Sequence, residues 1–466
     1  MTFLVIAIFI VGFLSGSYVW GSGTYTTISS SGIDIPGFVN ATEYWWGSHN
    51  RTDVLAYPKQ VASYIIFRQG DIIYAKDGST GQIEFSGTNA SQVIQSAIDA
   101  LSSGGIIAFK PATYNSINIS IDKCGIKLVG LAYSTIESAT YGVIFKGIAS
   151  TPIINITGAS DNYIRGIEID NIIFSGEDIS DCIGIKGSYT RDLKVRDCFF
   201  YVLQGGAIDL DNAENPTIEH CHFSGCGKDG VNTIDIAGTS TMILIRKCLF
   251  FNDKYRSISL TGSSSMMLKE NYFEAYSGYP TQEFVYANGP LKAIHNFFFG
   301  TDLGGIALYS RGDGAVIESN YFTGGVPASY PRLGTLSVSN SHGSIVAKNY
   351  FTNCERPFYC DLVENFTLRN NIFEDYTNPP AFGGTGSVYY EGNIGYVTEN
   401  SGTATISAST SVTFEHGLAG TPTHVEVGWK DTGYGDWKWT ANATHITITV
   451  TNSGTYSFSW RAYYEP

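Results

Sequence analysis

The segment LKVRDCFFYVLQGGAIDLDNAENPTIEHCHFSGCGKDGVNTIDIAG, residues 193–238, states one motif twice. LKVRDCFF (Leu193–Phe200) and TIEHCHF (Thr217–Phe223) are alternating, β-branched phrases that end on an aromatic and then a turn. AIDLDN (Ala207–Asn212) and TIDIAG (Thr233–Gly238) are a second pair of short alternating runs. Outward from this stretch the motif persists. IEIDNIIF ends at Phe174, and ILIRKCLF, MLKENYF, LKAIHNFF, VIESNYF, IVAKNYF and TLRNNIF end at Phe250, Phe273, Phe298, Phe322, Phe351 and Phe373. Successive spacings of 26, 23, 27, 23, 25, 24, 29 and 22 define a period near 25. Short strands at that period exclude helical arrays, and the repeat is too short for a propeller blade. The remaining reading is all-β: a parallel β-solenoid whose coils stack ~4.8 Å apart.

Stacked coils place like residues on like. Two positions before each terminal Phe stand Ile172, Cys198, Cys221, Cys248, Asn271, Asn296, Asn320, Asn349 and Asn371. Amides in such a column bond up and down the stack and satisfy buried backbone. Cysteine replaces them as a small buried hydrophobe.

These repeats resemble the pectate-lyase-like superfamily of right-handed parallel β-helices, which includes polysaccharide lyases, polygalacturonases and viral tailspikes. The resemblance extends to DGSTGQIEFSG (Asp77–Gly87), NASQVIQSAIDAL (Asn89–Leu101) and GGIIAFKPATYN (Gly104–Asn115). It implies a right-handed solenoid over residues 63–395, its open end capped by a helix near residues 89–101. After Gly395 the pattern becomes five to seven alternating strands, read as a small β-sandwich over 400–466. This module resembles C-terminal modules of phage-tail-like and carbohydrate-active proteins. Trp437 and Trp439 fall on one face of a strand there, as core or as a sugar platform.

At 466 residues, 14% aromatic and 15% charged, the chain is ordered rather than disordered. Its net charge of −14 excludes the basic footprint of a nucleic-acid binder. Residues 1–21 are an apolar run with no Lys or Arg before Arg51, read as a signal peptide or a membrane anchor. Residues 22–62 form an N-terminal extension. Sequons at Asn40, Asn50, Asn89, Asn118, Asn155, Asn365 and Asn442 fit an extracellular or cell-surface glycoprotein. Eight cysteines allow disulfides after export, with Cys354 and Cys360 as a candidate pair.

Alternation turns Ile208 and Leu210 inward and Asp209 and Asp211 outward. The period sets Asp235 over Asp209, with Lys186 near Asp211 on the coil before. Ser259 and Thr261, then Tyr286 and Asn288, then Tyr309 and Arg311 continue the column, the last four as glycan contacts. Stacked carboxylates repel unless a cation or a shared proton intervenes, which marks the column as a candidate site. The lyase resemblance implies Ca²⁺ on Asp209, Asp211 and Asp235, with Lys186 or Arg256 as base, acting on a uronate-containing glycan. A glycoside hydrolase of the polygalacturonase type would use two of the aspartates as acid and base or nucleophile, although the polygalacturonase motifs are not intact. The rival is a non-catalytic adhesin or a homotrimeric tailspike-like fibre. His220 and His222 read as exposed neighbours on one strand face, with Cys221 on the other, and match no zinc spacing.

Overall fold

The computed structural model describes residues 62–132, 142–177, 179–228, 230–262, 265–275, 283–300, 306–324, 334–383, 386–430 and 436–464, with short strands at 27–29 and 32–34. The segment 1–21, most of the 22–62 extension, and the sequons at Asn40 and Asn50 lie outside the described residues. The chain divides into two compact units, Met1–Phe299 and Gly300–Pro466.

The first unit opens with an antiparallel meander, Tyr64–Gln69, Ile72–Asp77 and Ile83–Gly87. An eleven-residue helix follows, Ala90–Ala100, with the Asn89 side chain capping it by accepting from the Gln92 amide at 3.1 Å. Its Val93, Ile94, Ala97 and Ile98 recur at helical spacing and are buried against the strands 72–77, 83–87 and 119–121. The helix lies where the 89–101 pattern placed it.

From Gly105 the chain winds into a parallel β-solenoid, each complete coil contributing one strand to each of three sheets. Ile183–Ser188, Lys194–Arg196 and Phe199–Tyr201 make one coil; Ile208–Asp211, Thr217–Glu219 and His222–Ser224 make the next. We call these the first, second and third sheets in that order. Each repeated sequence phrase is therefore two strands and not one. The corner between them is a left-handed residue: Asn171, Asp197, His220, Lys247, Glu270 and His295 all have φ between 50° and 59°.

That corner explains the buried column one residue on. Asn271 receives the Cys248 amide at 3.0 Å and gives its own amide group to Ile245 O and to Asn296 Oδ1, each at 2.9 Å. The turn backbone is satisfied without water. Cys198, Cys221 and Cys248 continue the column, each thiol donating to carbonyls of its own and the preceding coil. Inside the third sheet, Phe174, Phe200, Phe223, Phe250, Phe273 and Phe298 stack 4.7–4.9 Å apart and within 8° of parallel. This matches the spacing of neighbouring strands. Outside the second sheet, opposite charges sit on successive coils: Lys127–Glu168 at 3.2 Å, Asp170–Arg196 at 3.2 Å and Glu219–Arg246 at 2.5 Å. A slip of one residue would break all of these columns together.

The second unit also contains coils of three strands, for example Leu336–His342, Ile345–Ala347 and Tyr350–Thr352. Its own ladders are Phe322–Phe351–Phe373 and Asn320–Asn349–Asn371. It ends in an antiparallel sheet of four strands, Glu399–Glu415, His424–Trp429, Trp437–Ala441 and His445–Tyr463. The two long strands change register between Ile406 and Ser411. Ala408 lies at φ 49° in that break, a bulge geometry. Residues from both halves, Ile406, Phe458 and Trp460 from one and Ile446, Ile448 and Val450 from the other, share one core. The described residues thus hold one antiparallel sheet of four strands where the pattern after Gly395 predicts a sandwich of five to seven. Trp437 packs against this core, while Trp439 at the sheet edge is 38% exposed.

Candidate functional site

The outward face of the first sheet carries the acid column. Backbone register sets Lys186 on Asp209, Asp209 on Asp235, Asp235 on Ser259 and Ser259 on Tyr286. The Asp209–Asp235 stack is the one the period requires. Lys186 needs a correction: it stands on Asp209, with Nζ 3.0 Å from Oδ2, and Ser188 stands on Asp211. The offset arises because Gly187 takes the inward place opposite Leu210, where a Cβ would lie 2.8 Å from the leucine Cδ2. An inward glycine mimics a turn in an alternation reading.

The two stacked aspartates differ in environment. Asp209 is ion-paired with Lys186. Asp235 is half-buried, and its Oδ1 is shut from solvent with no hydrogen-bond partner. Burial raises the Asp235 pKa above the usual carboxylate range, and the neighbouring Asp209 adds to the rise; Ser259, Asn232 and Arg256 oppose it. A carboxyl group whose pKa is raised by burial, beside a carboxylate paired with lysine, is an asymmetry of the kind acid–base catalysis uses.

Arg256 forms a tight ion pair with Glu283 and lies over the rings of Tyr255 and Tyr286, 5.0 and 4.5 Å from their centroids. Its guanidinium is thus engaged by Glu283 and by the Tyr286 ring. Asn288 is exposed at the end of its strand. In the second unit, the Tyr309 hydroxyl lies 3.0 Å from Ser339 Oγ, and Arg311 is exposed. Asp211 accepts from Asn212 Nδ2 at 2.9 Å. Among the described residues, no three His, Cys, Asp or Glu side chains gather to hold a metal ion.

His220 and His222 do not share a face, because the left-handed corner at His220 resets the alternation. His222 is not an exposed strand residue. Its ring stacks on Phe199 at 4.6 Å, both nitrogens are buried, and burial lowers its pKa to about 4. All eight cysteines are free, including Cys354 and Cys360, which are buried separately. The remaining sequons take varied settings. Asn89 caps the helix, Asn118 and Asn155 are half-buried, the Asn365 amide contacts His342, and Asn442 is exposed in a turn.

The family described as right handed beta helix region matches residues 118–273. The chain is a right-handed parallel β-solenoid. No curated protein matches it. Solved structures to which the chain is similar include ORF18 of Geobacillus virus E2, 14% identical over 83% of this chain and 84% of that one, TM-score 0.48. Another is tailspike protein gp49 of Acinetobacter baumannii bacteriophage Fri1, a capsular polysaccharide depolymerase, 12% identical over 80% and 82%, TM-score 0.42. A third is the lidless DFA-IIIase of Arthrobacter chlorophenolicus A6 in complex with GF2, 14% identical over 65% and 92%, TM-score 0.48. At these identities the likeness concerns architecture alone. No helix among the described residues is long and apolar enough to cross a membrane.

Proposed function

We propose that this is an extracellular or surface β-solenoid that hydrolyses a polysaccharide at the acid column of its first sheet. One observation carries the reading: of two carboxyls in register on adjacent coils, Asp209 is paired with Lys186 and Asp235 has a buried, unpartnered oxygen. In this reading Asp235 gives its proton to the glycosidic oxygen as the leaving sugar departs. Asp209 attacks the anomeric carbon from the next coil and forms a glycosyl ester. Water then displaces Asp209, losing its proton to Asp235 and restoring both groups. Neighbouring strands ~4.8 Å apart suit the ~5–5.5 Å carboxyl separation of retaining enzymes better than the ~6.5–9.5 Å of inverting ones. Both residues named as lyase bases, Lys186 and Arg256, are committed to ion pairs, which argues against β-elimination. The apolar segment 1–21 and the sequons support export.

The test is product analysis on a polysaccharide panel, with reducing-end assay and ultraviolet absorbance, with and without a chelator. New reducing ends without unsaturated sugars, unaffected by chelator, support the reading. Unsaturated products that vanish with chelator would assign the chain to Ca²⁺-dependent lyases. Binding or trimer formation with no turnover would make it a fibre or adhesin.

A further inference from the structure

We propose that Tyr189 and Tyr163 form an aromatic subsite for one sugar ring of the glycan bound along the acid column, an inference that rests on the reading of that column as a glycan site. The register that puts Ser188 on Asp211 and Asp211 on Ala237 makes Tyr189, Asn212 and Gly238 the same corner on three successive coils. All three are left-handed, at φ 49°, 53° and 67°. Asparagine and glycine suit that conformation, whereas a bulky side chain is strained there. The fold makes this corner with Asn or Gly one and two coils later, so the backbone does not call for tyrosine.

Nor does the core. The Tyr189 ring is only half-buried and meets the Tyr163 ring edge to face, 5.8 Å apart at 90°. Tyr163 is held in turn by Arg191, whose guanidinium lies 5.1 Å from its centroid and pairs with Glu214 at 2.5 Å. The short parallel pair Ile164–Arg165 and Thr190–Arg191 fixes the backbone beside both rings. The result is a rigid aromatic corner directly after Ser188, on the coil that carries Lys186. A sugar offers a C–H face that packs on such rings, while its hydroxyls reach the neighbouring carboxylates and Lys186.

Affinity gel electrophoresis against levan, dextran, galactan, alginate and polygalacturonate tests this, using the full chain, Tyr189→Asn, Tyr189→Gly, Tyr189→Phe and Asp235→Asn. Tyr189→Asn and Tyr189→Gly should fold with equal or higher Tm, because both relieve the corner, yet weaken retention by the bound glycan about tenfold. Tyr189→Phe should bind within about threefold of the parent. Unchanged retention in both Asn and Gly variants overturns the subsite, as does the absence of retention of the parent chain by any of the five glycans. The catalytic reading fails separately, when a retained glycan is not cleaved by the parent or is still cleaved by Asp235→Asn.

Discussion

Lys186 Nζ lies 3.0 Å from Asp209 Oδ2, while Asp235, one coil further and in register, has an oxygen with no partner at all. Two identical side chains on adjacent rungs are thereby made chemically different, one by burial and the other by the lysine below it. That inequality is what separates this column from an ordinary solvated face, where stacked aspartates would be equivalent and simply repel.

The first prediction concerns the pH profile. The Asp235 pKa is raised by burial and by Asp209, and the reading needs Asp235 protonated. Activity should fall as pH rises through that raised value. Lys186→Met leaves Asp209 uncompensated, increases the charge facing Asp235, and should move this alkaline limb upward. A pH–rate series on both proteins checks the shift.

A second prediction concerns the buried amides. Asn271→Ala strands the Cys248 amide and the Ile245 carbonyl, and each buried orphan costs about 1–3 kcal/mol. The loss should total ~2–6 kcal/mol. Asn271→Cys should lose less, since Cys198, Cys221 and Cys248 already occupy this column. Urea midpoints measure both.

Asp253 gives a third. It is 1% exposed, and burial raises its pKa from 3.8 to about 7. The native state therefore holds a proton that the unfolded chain releases between pH ~4 and ~7. Its stabilising contribution is full below pH ~4 and is lost as pH rises to ~7. Asp253→Asn should flatten that part of the curve of Tm against pH.

Thiol chemistry supplies a fourth. Cys124 is exposed and the other seven cysteines are buried and unpaired. A water-soluble disulfide reagent should titrate one thiol in the native protein and eight after denaturation. A native count of one with only six after denaturation would reveal a disulfide such as Cys354–Cys360.

The solenoid was legible because its signals are periodic. Phe at each phrase end, Asn or Cys two residues earlier, and Ile208/Leu210 alternating with Asp209/Asp211 repeat often enough to fix coil and register. The left-handed corners were not, since Asn171, Asp197 and His220, which tolerate positive φ, give way at the same corner to Lys247 and Glu270, which do not announce it. Missing them joined two strands into one, set His220 on the face of His222, and left His222 read as exposed when its ring is covered against Phe199. Gly187 misled for the opposite reason. It looks like a corner and is an inward strand residue, so the true corner at Tyr189 went unseen and Lys186 was placed one step off. Environment was the other blind spot: nothing in the sequence shows that Asp235 is half-buried and Asp209 is paired.

The most direct measurement is kcat on a cleaved polysaccharide for Asp209→Asn and Asp235→Asn, with Tm recorded beside it. Loss of a positioned acid or nucleophile should lower kcat by at least ~10²–10⁴-fold while Tm stays within a few degrees of the parent. Full turnover in either folded variant would contradict the assignment of cleavage to these two neighbouring coils.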